Sequence, residues 1–326
     1  MASMKRDPEV GLASVPFIRV PPLRRPAKIW MGPVFGSLSI LLFFAVWWFL
    51  TRGEPEERII SPASLPSPRE TFATFHSLWF DRALTRNLVV TLKRVMLGFA
   101  LAFAVGVPLG ILAGCFSWFR MFLAPVVIFG RNIPLAALIP LTFIFFGVGE
   151  TQKVMFIFIA CVAFVIADAA LAITDVSTRY LDTAYTLGAN TWQSIIKVLV
   201  PLAMPTILDS ARLLFGLAFG YIMLAELIRF GDEVGGVGNL ILMSQRRGPR
   251  EHIFLIVLII PVVALVLDRI FYWVQRQLFP HRYGGAGLLN RGLRLFLDLW
   301  DDLKSLIRKP RPPFDQLVPT ADNKPQ

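Results

Sequence analysis

The 326-residue sequence is poor in cysteine, histidine and charge. Its two cysteines, Cys115 and Cys161, form no CxxC pair, which excludes a disulfide framework and the usual zinc spacings. His76, His252 and His281 are far apart, so no metal-ligating cluster is expected. Charged residues make up 17% of the chain, against about one quarter in soluble domains. No GxxxxGK[ST] phosphate loop occurs, so the chain lacks that route to holding a nucleotide. The residues converge on no catalytic site.

Apolar sequence is abundant instead. Hydrophobic residues are 55% of the total and the mean hydropathy is +0.61. The scarce charges cluster between long apolar runs, the pattern of an all-α polytopic membrane protein. The net charge of +11 would suggest nucleic acid in a soluble protein. Here the excess lies in an N-terminal arm (Lys5, Arg6, Arg19, Arg24, Arg25, Lys28) and in the tail after Phe279. The positive-inside bias therefore predicts two cytoplasmic termini and no nucleic-acid partner.

Residues 1–28 read as a disordered, basic arm and 29–279 as the membrane domain. A first span is expected over Ile29–Thr51, and an amphipathic helix over Arg69–Phe80 presenting Phe72, Phe75, Leu78 and Trp79. A second span, Val89–Phe116, carries Gly106, Gly110 and Gly114 at every fourth position, a face suited to close helix packing. A third is broken at Arg131, Asn132 and Pro134, between apolar runs Met121–Gly130 and Leu135–Val148. The remaining spans are Val154–Ile173, Ala203–Leu227 and Ile253–Val274, which makes about six. An even number agrees with termini on one side. In 280–326, Leu289, Leu293, Phe296, Trp300, Leu303 and Ile307 recur at 4-3-4-3-4 spacing, predicting an amphipathic helix over about 288–308, on a membrane surface or a partner.

The segment "DTAYTLGANTWQSIIKVLVPLAMP", between spans four and five, is polar and punctuated by Gly188, Pro201 and Pro205. Asp182 suits a helix N-terminus, and Gly188 a left-handed helix end. Thr191 is a candidate N-cap for a second short helix. Pro201 either ends that helix or opens the next span.

Here the chain resembles the permease subunits of ATP-binding cassette importers, whose loop reads Glu-Ala-Ala, three residues, Gly, nine residues, Ile, any residue, Leu-Pro. This chain has Asp182-Thr183-Ala184, three residues, Gly188, nine residues, then Val198-Leu199-Val200-Pro201. The spacing is complete, with Asp, Thr and Val as departures. "LPSPRETFATF", "TLKRVMLGFALAFAVGVPLGILAG", "GRNIPLAALIPLTFIFFGVGETQKVMFIFI" and "ALVLDRI" are similar to the branch serving taurine, alkanesulfonates, nitrate and bicarbonate. The resemblance spans Leu65–Phe279.

It implies a type I importer-like permease in a bacterial inner membrane, with a coupling loop over 180–201. Asp182, Thr183, Ala184, Gly188, Ala189 and Pro201 would meet a separate ATPase, which would hold ATP and Mg, this chain binding no cofactor. A second permease copy and an external solute-binding protein are the other implied partners.

Ionisable groups inside spans are costly and draw functional hypotheses. Asp168 is a candidate partner of Arg131 or Arg212, or a pathway residue. Arg212 is expected to pair with Asp209, or else to attract an anion. Gly216 and Gly220 form a small-residue face on span five, either packing seam or pathway wall. Asp268 and Arg269 suggest a pair, Arg94 a snorkelling cation, and Glu226 a residue that docks the outer loop. The competing readings are an intramembrane enzyme, or a stand-alone secondary transporter using Asp168, Arg212 and Glu226. The latter would show a second copy of the broken span.

Overall fold

A computed structural model describes residues 30–54, 56–62, 64–228 and 235–279, and all regular structure in them is helical. The basic arm, the tail with its expected helix over 288–308, and the loop tip 229–234 lie outside the described residues. The chain forms two units, Met1–Pro68 and Arg69–Gln326.

The first unit holds α1 (Met31–Leu50), a charge-free helix long enough to cross a bilayer. Its last turn is closed by side chains. Thr51 Oγ1 donates to the Trp47 carbonyl (2.8 Å), and Trp47 Nε1 donates to the Pro66 carbonyl (2.9 Å).

In the second unit the expected amphipathic helix is interrupted. α2 (Pro68–Ala73) stops at Thr74, and a π-helical turn follows over Ser77–Asp81. Thr74 Oγ1 donates to the Thr71 carbonyl (2.8 Å) and Ser77 Oγ to the Thr74 carbonyl (3.0 Å), so hydroxyls compete with the helix ladder. Leu78 is fully buried, while Phe72, Phe75 and Trp79 stay exposed.

The frame is built on α3 (Leu84–Cys115) and α6 (Glu150–Thr174). The small-residue stripe of α3, extended by Gly98 and Ala102, lies on α6. A Cβ on Gly98 would meet Ile157, on Gly106 Val165, on Gly110 Ala169 and on Gly114 Ile173, all within 3 Å. Both rows repeat every four residues, as when i±4 ridges of two helices interdigitate. Without a hydrophobic drive between helices in lipid, such close backbone approach is what holds them. The glycine face is thus an intramolecular packing seam.

These contacts run in the same order along both helices, so α3 and α6 are parallel. The chain between them must return across the membrane. It does so as α4 (Ser117–Asn132) and α5 (Leu135–Phe146), bent by 105° at their junction. Pro134 forces the residue before it out of the helical region, and Ile133 is extended at φ −65°, ψ 127°. The pair is therefore one broken span.

α9 (Val200–Glu226) runs antiparallel to α6, and α11 (Glu251–Leu278) antiparallel to α9. Gln275 Nε2 of α11 donates to the Pro205 carbonyl of α9 (3.0 Å), tying their ends together. Among the described residues, five long apolar helices plus the bent pair give six spans. The main core lies among α3, α6 and α9. A smaller one joins Leu78, Leu84, Leu255 and Ile256 to Val237 and Leu240 of α10 (Val237–Arg247).

Candidate functional site: the elbow and the charges within the spans

The segment before α9 folds as α7 (Thr178–Thr186) and α8 (Thr191–Ser194), a four-residue turn of helix. Between them Gly188 sits at φ +79°. The Ala189 N–H donates to the Ala184 carbonyl (3.0 Å) and the Gly188 N–H to the Tyr185 carbonyl (2.9 Å). These are the two bonds of a Schellman motif with glycine at the left-handed position. A Cβ on Gly188 would meet nothing within 4 Å, so conformation rather than space requires glycine.

Two local expectations are corrected, and of the two readings of Pro201 the one that opens the next span holds. Asp182 does not cap a helix: α7 starts at Thr178, and exposed Asp182 lies inside it. The cap of α8 is Asn190, not Thr191. Asn190 Oδ1 accepts from the Gln193 N–H (2.8 Å) and Gln193 Oε1 from the Asn190 N–H (3.0 Å), a capping box that outcompetes the shorter hydroxyl. The helix after Asn190 does not end at Pro201. It runs through to Glu226, with a π-helical turn over Ile195–Leu199 and Pro201 in the first turn of α9. Proline lacks an N–H and crowds the carbonyl four residues back, and one widened turn absorbs both defects. The elbow is thus one rigid helix joined through Gly188 to a shorter one.

Ala184 is buried, while Thr183, Ala189 and Pro201 are exposed or half-buried. Tyr185, Leu187, Trp192 and Ile196 are exposed, Leu187 by 82%. The Trp192 ring meets Phe116, between α3 and α4, edge-on at 6.3 Å.

Within the spans, Arg131 stacks on Phe164 (5.1 Å) and acts electrostatically on Asp168, one turn further along α6. Arg212 does not pair with Asp209. Its Nε lies 2.9 Å from Asp268 Oδ1, and its guanidinium stacks on Tyr272 at 5.1 Å. Asp209 accepts instead from Gln275 Nε2 (2.8 Å). Asp268 is therefore not the partner of Arg269. Both bonds cross between α9 and α11, since residues on neighbouring spans approach more closely than the pairs that sequence proximity suggested.

Asp168 and Arg212 are not brought together. Asp168 faces Ile207, Ser210 and Leu214 of α9, and Arg212 leaves the opposite side. Cβ atoms on Gly216 and Gly220 would meet open space, on an exposed face with Leu213, Leu217 and Leu224.

The most highly connected group is one the sequence misplaces. Arg94 does not snorkel; it is 1% exposed, at the end of the bundle opposite the elbow. Nε donates to Glu150 Oε2 (2.7 Å), and Nη2 pairs with the other Glu150 oxygen. Nη1 donates to Glu226 Oε1 (2.7 Å) and to the Gly235 carbonyl (2.6 Å). Glu226 also accepts from Thr91 Oγ1 (2.8 and 2.9 Å) and from the Gly238 N–H (3.0 Å). A Cβ on Gly236 would fall 2.4 Å from the Glu226 carboxylate, and one on Gly238 2.7 Å from Glu226 Cβ. Asn87 Oδ1 and Thr91 Oγ1 accept from the Gly236 and Val237 N–H groups, each at 2.9 Å. Glu226 thus docks the Gly-rich segment before α10, the role expected of it, with Arg94 as the keystone. The spacing of glycines in "GGVGN" was the available signal, but the joining of Arg94 to Glu226 across 132 residues was not visible.

Comparison with known proteins agrees with this architecture. The chain is 29% identical over 250 residues to the taurine transport system permease protein TauC of Escherichia coli (strain K12), covering 75% of this chain and 88% of that protein. It is 27% identical over 264 residues to the putative aliphatic sulfonates transport permease protein SsuC of Bacillus subtilis (strain 168), covering 81% and 93%. A chain of the MetNI methionine ABC transporter in an inward-facing conformation superposes with a TM-score of 0.52 at 19% identity, over 63% of this chain and 96% of that one. Residues 106–281 match the family described as the binding-protein-dependent transport system inner membrane component. That match takes in the broken span, the elbow and the last three spans, and by it this multi-pass protein belongs to that family of inner-membrane permease subunits.

Proposed function

We propose that the chain imports a small anion or a sulfonate-like solute, of the taurine, alkanesulfonate, nitrate or bicarbonate class, driven by ATP hydrolysis in a separate subunit. The observation that carries the coupling role is the elbow. Exposed Tyr185, Leu187, Trp192 and Ile196 form an apolar surface on a segment continuous with α9. A partner seated there moves a whole span. Asp182, Thr183, Ala184, Gly188, Ala189 and Pro201 are the contact or shaping residues of this surface, and ATP with Mg binds the partner. The working assembly holds two permease copies, two ATPases and an external solute-binding protein, with both termini of this chain on the elbow side. Asp168, Arg131, Arg212, Gly216 and Gly220 are the pathway candidates. The open face at Gly216 and Gly220 supports a contact beyond this chain.

The test is a mild-detergent pull-down of wild type and Gly188→Val with mass spectrometry. The reading expects an ATPase with wild type and its loss in the variant. Recovery of none with wild type would overturn it.

A further inference from the structure

Between α3, α9 and α11, in the half of the bundle nearer the elbow, lies a cavity of about 280 Å³. It has room for roughly nine water-sized groups at ~30 Å³ each. Its wall is aromatic: Phe99 meets Phe215 edge-on at 5.4 Å, Phe215 meets Phe271 at 4.8 Å, and Phe103 continues the lining. Polar groups are few. Gln275 already donates to Asp209 and to the Pro205 carbonyl. Arg212 is different. A guanidinium offers five N–H groups, and here its Nε faces Asp268 Oδ1 at 2.9 Å and its plane lies over the Tyr272 ring, so the Nη groups, which have no hydrogen-bond partner among the described residues, are the ones that can donate to a ligand.

The geometry points to a solute-binding pocket within this subunit for an amphiphilic organic anion. The headgroup accepts from Arg212 beside Asp268, and a short hydrocarbon or aryl body lies against the phenylalanines. This rests on the anion-import reading and narrows it: a bare inorganic anion leaves the aromatic wall unused, and nearby Asp268 disfavours one without an apolar body to offset the repulsion.

The test uses the full chain in phospholipid nanodiscs, titrated with propane-, hexane- and decane-1-sulfonate, hexan-1-ol and nitrate. Affinity should rise about fourfold per methylene, then level off once the chain outgrows the cavity. Arg212→Gln should weaken hexanesulfonate binding about tenfold or more, and Arg212→Lys less. Ala100→Phe, at an exposed lining position, should block binding while keeping the wild-type melting temperature. The pocket is overturned if hexan-1-ol or nitrate binds as tightly as hexanesulfonate. It is equally overturned if affinity climbs without levelling and identically in Ala100→Phe, which is bilayer partitioning. Uptake by cells carrying the whole transporter separates the two readings. Import of a sulfonate with no binding to the chain sinks the pocket alone. Pocket binding by these rules without import of any anion sinks the import reading alone.

Discussion

Arg94 and Gly188 show two ways in which one residue can be irreplaceable. Arg94 neutralises Glu226, whose side chain is 0% exposed, while its other partner, Glu150, is 56% exposed. Removing one member of a buried pair leaves an uncompensated charge, at a cost of about 3–5 kcal/mol. Arg94→Ala should therefore lower the melting temperature strongly. Glu150→Gln should cost about 1 kcal/mol or less, because water screens an exposed partner. Thermal unfolding of the two variants in one detergent checks the order; equal effects would refute the keystone role. At Gly188 only the backbone matters, because a side chain there would meet open space. Asparagine tolerates the left-handed region better than β-branched residues do. The pull-down should thus recover more ATPase with Gly188→Asn than with Gly188→Val.

Helix faces divide the glycines of this protein into two sets. On α3, a side chain at Gly110 would strike Ala169 Cβ at 2.5 Å and the Ile166 carbonyl at 2.7 Å, and backbone cannot move aside cheaply. Gly110→Leu should cost about 1–3 kcal/mol or more through overpacking, seen as lost expression and a lower melting temperature. On α9, Gly220 faces open space in the single chain. Gly220→Leu should leave expression and melting temperature near wild type. Lost uptake in that folded variant would place a second copy or the solute against this face; unchanged uptake would remove Gly220 from the pathway candidates.

For the molecule as a whole, the parallel arrangement of α3 and α6 fixes the topology. The two faces of the bundle are marked by exposed residues: Leu187 in the elbow, and Val148 just before α6. In a background with Cys115 and Cys161 replaced, Leu187→Cys and Val148→Cys should react with a membrane-impermeant maleimide from opposite sides, Val148→Cys in intact cells and Leu187→Cys only after lysis. Labelling of both from one side would contradict the crossing of the broken span. The Arg94 cluster and the elbow then sit at opposite ends of α9. One continuous helix, Thr191–Glu226, joins the elbow to the segment docked on Glu226.

The sequence by itself determined what local chemistry decides. Unbroken apolar runs set the number of spans, because a bilayer admits no unsatisfied backbone. Pro134 set the break in span three, and Gly188, with its left-handed preference, set the elbow. The Asn190–Gln193 box is local too, although the expected cap was Thr191 and not Asn190. Only the tertiary structure decided which charges meet. Asp209 and Arg212 are three residues apart, yet each takes a partner on α11. Arg94 joins Glu226 across 132 positions. A side chain deprived of water binds whatever donor or acceptor packing brings within about 3 Å, and that is a property of helix faces in contact rather than of spacing along the chain.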